Sequence, residues 1–134
     1  MKLLDTSIII SILRGDETIK PLIEKLAGEE LCTTTITQFE LFSRIYHRGL
    51  TKEEKTVRRL IKSLTLLTLN EESSDKAAEI MGILLRVGKP VNVIDVLIAG
   101  IAAANDVEEL ITKDEDFKTI QKICGYPKTM LIKP

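Results

Sequence analysis

The chain has 134 residues, of which 44% are hydrophobic, and carries 19 basic side chains against 20 acidic ones. That length and apolar content can bury the core of one compact domain, spanning residues 1–134, and are too small for two. The near-zero net charge excludes a global positive field for nucleic acid or membrane surfaces, so any such partner has to be gripped by a local patch.

Short apolar runs alternate with helical periods along the chain. MKLL reads as a buried strand, followed by a helix that Thr6 or Ser7 can cap and that runs to Leu13, where RGD stops it. Asp16 begins a second helix, DETIKPLIEKLAG, with Ile19, Leu22, Ile23 and Leu26 on one face and Gly28 at its end. EELCTT is the second strand, and Thr35 or Thr37 opens the helix TITQFELFSRIYHRG. TKEE, Thr51 to Glu54, matches a capping box for a helix reaching about Ser63. LTLLTL is strand-like, and EESSDKAAEIMGILLRVG places Ala77, Ile80, Met81, Leu84 and Val87 at helical spacing before closing on Gly88. A helix around Asp95 follows, then the strand ELIT, a short helix DEDFKTIQKI and a final strand TMLIK. Short apolar strands separated by helices imply an α/β fold with a mainly parallel central sheet of about five strands, covered on both faces.

The compartment follows from what interrupts the apolar runs. Asp5 breaks the start where a signal peptide needs continuous apolar residues, and the run around Asp95 is too short to cross a bilayer. A cytoplasmic protein without membrane contact is expected. Cys32 and Cys124 lack any CxxC or Cys/His spacing and are expected to be free, buried thiols.

Asp95 is the residue that most needs explaining, because Val93, Ile94, Val96, Leu97, Ile98, Ala99 and Ile101 surround it. A lone ionised carboxylate in such a setting costs several kcal/mol, so it has to be protonated, hydrogen-bonded or compensated by a cation. Other acidic residues share its address. Asp5 follows the first strand, Asp114 follows ELIT after one intervening residue, Asp116 is close by, and Glu40 lies among Ile36, Phe39, Leu41 and Phe42. On a parallel sheet the loops beyond the carboxyl ends of the strands form the active site. Carboxylates gathered there repel one another, and a divalent hard cation with oxygen ligands relieves the repulsion. The competing explanation is local: Asp5 ends a strand, Asp95 and Asp114 cap helices, and Glu40 pairs with Arg44 one turn away. Independent caps, however, need not share one edge of a sheet, and a cap does not account for Glu40.

Four blocks, LLDTSIII, TTTITQFEL, GKPVNVIDVLIAGIAAAN and ELITKDEDF, together resemble the PIN-domain family, in particular the VapC-like toxins of toxin–antitoxin pairs, over nearly the whole chain. The resemblance implies a three-layer α/β/α sandwich and a Mg²⁺- or Mn²⁺-dependent endoribonuclease. It places Asp5, Glu40, Asp95 and Asp114 at the family's acidic, metal-binding positions, Asp116 at a supporting one, and Thr6 and Thr112 at hydroxyl positions that hold the cluster. It also implies a homodimer and an antitoxin protein whose peptide fills a groove. Ser43, Asn105 and Asp106 depart from small residues common in the family, away from the acidic positions.

The chemistry fits independently. Phosphodiester hydrolysis needs an activated water and stabilisation of charge on the phosphate oxygens, both of which bound Mg²⁺ or Mn²⁺ supplies. Asp5 and Asp95 are the expected innermost ligands, with Glu40 and Asp114 binding a second ion or orienting the water. A histidine-pair mechanism lacks its second histidine, His47 being alone and read as an exposed helix-end residue, and Ser7 and Ser43 have no histidine to activate them. A haloacid dehalogenase-like phosphatase needs a second Asp where Ser7 stands, and a receiver domain needs an acidic pair where Asp5 is alone. The alternative from another class is a metal-free RNA- or protein-binding module with a vestigial acidic site. Arg14, Arg44, Arg48 and Lys113 are candidate contacts to RNA phosphates, with Lys52, Lys55, Arg58, Arg59 and Lys62 as a second group. The five aromatics, Phe39, Phe42, Tyr46, Phe117 and Tyr126, are read as mostly core, which favours a folded RNA over an unstructured strand as substrate.

Overall fold

A computed structural model describes residues 1–133. Its centre is a five-stranded, all-parallel sheet of β1 (Lys2–Leu4), β2 (Leu31–Thr34), β3 (Thr65–Leu67), β4 (Glu109–Thr112) and β5 (Thr129–Leu131), in the order β3-β2-β1-β4-β5. Lys2 lies opposite Leu31 on one side and Glu109 on the other. Because side chains alternate along a strand, Leu3 and Leu110 enter one core and Leu4 and Ile111 the other. The helices α1 (Thr6–Leu13), α2 (Lys20–Lys25), α3 (Thr35–Arg48) and α4 (Thr51–Lys62) cover the Leu4 face through Ile8, Ile9, Leu22, Leu41, Ile45, Val57 and Ile61. The opposite face is covered by α5 (Glu71–Arg86), α6 (Val93–Ala104) and α7 (Glu115–Cys124), through Ile80, Leu84, Ile98, Ile101, Phe117 and Ile120. This is the three-layer sandwich that the sequence implies.

Helices α5 and α6 pack closely at Gly100 and Ala77. A Cβ on Gly100 would stand 2.6 Å from the Cβ of Ala77 and 2.7 Å from its backbone nitrogen. Only glycine lets α6 approach this closely, which fixes the helix carrying Asp95 against its neighbour.

Several local expectations change at the helix ends. The cap of α1 is Asp5 rather than Thr6 or Ser7, and that of α3 is Thr34 rather than Thr35 or Thr37. The Asp16 segment forms a 3-10 turn over Glu17–Ile19 before α2 starts beside Pro21; the missing proline N–H suits a first turn and not a helix interior. Thr51 is the first residue inside α4, not its cap, because Gly49 ends α3 in the left-handed region and leaves only Leu50 between the helices. The capping box in the molecule belongs to α5, where Asn70 and Ser73 exchange side chain and backbone bonds.

Candidate active site

The sheet winds one way from β1 through β2 to β3 and the other way from β4 to β5, so β1 and β4 flank a switch point. The crevice beyond their carboxyl ends is where open parallel sheets take up ligands. Asp5 is the first residue past β1 and Asp114 the second past β4. The Asp5 N–H donates to the carbonyl of Ile111 at 3.2 Å, keeping the two strand ends side by side.

Asp5 is only 3% exposed. Its Oδ1 accepts from the Ser7 hydroxyl at 2.6 Å and the Ile8 N–H at 3.2 Å, and its Oδ2 accepts from the Thr112 hydroxyl at 2.6 Å. Burial pushes the carboxyl above the ordinary carboxylate range; the three hydrogen bonds oppose that shift and the charge of Asp114 adds to it. The fully buried Thr112 hydroxyl in turn accepts from the Asp114 N–H at 2.9 Å, and the Ser7 oxygen accepts from the Lys113 N–H at 2.9 Å. One hydroxyl from α1 and one from β4 therefore lock Asp5 and the 112–114 turn into a common frame.

Beside this frame stand Asp95, Asp114 and Asp116, each offering a carboxylate oxygen within 4.8 Å of the others, all half-buried. Asp114 caps α7 by accepting from the Asp116 N–H at 2.9 Å, which uses one of its two oxygens. Asp95, by contrast, is not a cap: α6 is capped by Asn92, whose side chain accepts from the Ile94 N–H at 2.8 Å. Burial, then the charge of Asp114 and hydrogen bonding to it, then the same two influences from Asp116, push the Asp95 carboxyl up to about 8. Three carboxylates crowd one another here, and none of them forms an ion pair among the described residues. The donor set is entirely carboxylate oxygen, which suits a hard divalent ion such as Mg²⁺ or Mn²⁺ and would not suit a soft one.

Glu40 reaches toward the same edge from α3. The Thr6 hydroxyl donates to its Oε1 at 2.5 Å and lies 3.0 Å from the Thr37 hydroxyl. No ion pair joins Glu40 to Arg44 among the described residues. The tight triad thus comprises Asp95, Asp114 and Asp116, with Asp5 hydrogen-bonded alongside and Glu40 attached through Thr6.

Ser7 and Thr37 touch the acidic frame, a role that the sequence reading does not give them: it offers both as helix-cap candidates and weighs Ser7 as a nucleophile. Its position two residues after a helix-capping Asp, inside the first turn, is the local signal that it can hydrogen-bond that Asp.

The basic candidates divide. Arg14 and Arg48 are exposed, and Arg14 and Arg44 line one cleft with Ile10, Leu13, Glu53 and Val57. Lys113 is instead bound to Asp16, Nζ to Oδ2, at 2.7 Å. Arg58 is engaged by Glu54 at 3.1 Å, by the Tyr46 hydroxyl at 3.0 Å and by the face of Phe42 at 4.4 Å. The aromatics correct the expectation of a mostly core placement: Phe117 is buried, but Phe39 and Tyr46 are each 64% exposed on the outer side of α3, whose buried positions are Thr37, Leu41 and Ile45. His47 is exposed in the last turn of α3, as expected, and both cysteines are free, with burial pushing the Cys32 thiol up to about 11. Among the described residues no helix is long and apolar enough to cross a membrane.

A family model described as the PIN domain matches residues 2–123. No curated protein matches the chain. Among solved structures, VapBC2 from Rickettsia felis, bound to a DNA fragment from its promoter, superposes with a TM-score of 0.83 at 17% identity, covering 97% of each chain. DNA-bound VapBC from Salmonella typhimurium superposes with a TM-score of 0.79 at 23% identity over 96% of each chain. VapC20 of Mycobacterium tuberculosis, a sarcin-ricin loop cleaving toxin, gives 0.67 at 12% identity over 100% of each. At these identities the superpositions speak for a shared fold.

Proposed function

The chain belongs to the PIN domain family, and we propose that within it this protein is a divalent-metal-dependent endoribonuclease, the toxin of a toxin–antitoxin pair. The observation that carries the reading is the triad of Asp95, Asp114 and Asp116 at the sheet's switch point, mutually repelling and without an ion pair among the described residues. These carboxylates and Asp5 would hold a Mg²⁺ or Mn²⁺ ion, which would supply an activated water and charge stabilisation for phosphodiester hydrolysis. The protein's own part is to hold that set rigid. Ser7 and Thr112 orient Asp5, Thr112 also fixes the Asp114 backbone, and Thr6 presents Glu40, which we assign to orienting the attacking water.

Arg14, Arg44 and Arg48 are the proposed phosphate contacts. The substrate is a folded RNA, on the analogy of the loop cleaved by VapC20. An antitoxin partner follows the VapBC complexes among the structural relatives, and the family resemblance supports a homodimer working in the cytoplasm as one domain. The test is to incubate total RNA with the purified chain and map new ends. Discrete ends that need Mg²⁺ or Mn²⁺, vanish with chelator and are lost in Asp95→Asn are expected. Ends that persist in chelator or in the variant would contradict the reading.

A further inference from the structure

Lys113 stands between Thr112, which holds Asp5, and Asp114, which belongs to the acidic triad, yet its side chain points away from both roles. Its Nζ meets Asp16 Oδ2 at 2.7 Å, with the two side chains only 20% and 29% exposed. Asp16 is itself fixed from its own turn, its Oδ1 accepting from the Thr18 N–H at 2.9 Å and the Thr18 hydroxyl at 2.8 Å. The Lys113 hydrogen bond and the two bonds from Thr18 hold the Asp16 carboxyl well below the usual carboxylate range. The backbone of Lys113 is held too, by the Ser7 oxygen at 2.9 Å. A residue of the α1–α2 connection, 97 positions away in sequence, thus clamps the turn that carries Asp114 and leads into the first turn of α7, where Asp116 stands.

We propose that Asp16 is a positioning residue: through its ion pair with Lys113 it holds the 112–116 turn so that Asp114 and Asp116 converge with Asp95 on a divalent cation. This rests on the metal-binding reading above. It also assigns Lys113 a role other than contact with RNA phosphate. The pair is partly shielded from solvent, and Asp16 uses separate oxygens for Thr18 and for Lys113, so the clamp and the cap act independently.

Simple electrostatics makes a different forecast, which renders the idea testable. Were the pair to act only through its field, removing the negative Asp16 would weaken cation binding and removing the positive Lys113 would strengthen it. Positioning requires both changes to weaken it. The experiment is Mn²⁺ titration calorimetry on native protein, Asp16→Asn, Lys113→Gln and the double variant, with amide hydrogen exchange of residues 112–116 measured on the metal-free proteins. Asparagine retains an oxygen for the Thr18 cap and sets an N–H donor against Lys113, so the first variant breaks the ion pair while sparing the cap. The expected result is that each single change weakens Mn²⁺ binding about three- to tenfold, that the double variant is no weaker than the weaker single, and that exchange in the turn accelerates in all three. Tighter binding by Lys113→Gln, or unchanged affinity and exchange in both single variants, would overturn the positioning role while leaving the metal site intact. Native protein that binds no Mn²⁺ would overturn the metal reading, and this role with it.

Discussion

The two halves of the acidic site are built on opposite terms. Around Asp5 every oxygen has a protein donor, from Ser7, Ile8 or Thr112, and these bonds oppose the upward push of burial on its carboxyl. Around Asp95 the perturbing neighbours are Asp114 and Asp116, which carry the same charge. The difference teaches that the first half is a frame of hydrogen-bond donors around one carboxyl, and the second is a cluster of carboxylates whose electrostatics improve when a cation arrives. A capping role explains the placement of Asp5 and Asp114 but not of Asp95, because Asn92 already caps α6.

Four changes would break or sharpen that contrast, and they differ in size. The largest effect is expected from Asp95→Asn, which should lower RNA cleavage by at least about 100-fold and yet raise the Tm of the metal-free protein at about pH 8, since it removes a carboxyl whose ionisation burial and two acidic neighbours oppose; paired cleavage assays and thermal melts check both. A frame residue should behave in the reverse manner. Thr112→Val removes a fully buried donor to Asp5 and an acceptor for the Asp114 N–H, and should cost about 1–3 kcal/mol in denaturant unfolding with or without metal.

A third change lies outside the site. Gly100→Ala inserts a Cβ 2.6 Å from that of Ala77 and should destabilise by about 1–3 kcal/mol through overpacking, with Mn²⁺ affinity falling less than in Asp95→Asn, as melts and calorimetry on the same sample would show. The fourth change is one of pH. The folded protein retains the Asp95 proton up to about 8, whereas an unfolded chain releases it near 3.8. The folded state therefore binds the extra proton across that window, and the stability of the metal-free protein should fall as pH rises through it. Saturating Mn²⁺ should flatten this decline, because a bound cation favours the ionised form; melts across the pH range with and without the ion check it.

Much of this was legible in the amino-acid order, and what was not has a common physical cause. The alternation of short apolar strands with amphipathic helices foretells the parallel sheet, and strand-end positions single out Asp5 and Asp114. The apolar neighbours of Asp95 marked it as a charge in need of a partner. Helix boundaries were less legible where a residue type is permitted at two adjacent positions: Thr51 matches a capping pattern, but the left-handed Gly49 moves the helix start so that Thr51 falls inside it. Contacts between distant segments were not legible at all. Ser7 meeting Lys113, and Lys113 meeting Asp16, depend on how α1 settles over β4, and no local pattern encodes that distance. The exposure of Phe39 and Tyr46 belongs to the same class, because which side of α3 faces the sheet is decided by packing of Leu41 and Ile45.

The most direct test of the carboxylate cluster is calorimetric titration of Mn²⁺ into metal-free native protein and into Asp95→Asn at the same pH. The account predicts measurable binding by the native protein and an affinity at least about tenfold lower in the variant. Equal affinities in two folded proteins, or no binding to either, would contradict it and would leave Asp95 an unexplained half-buried acid.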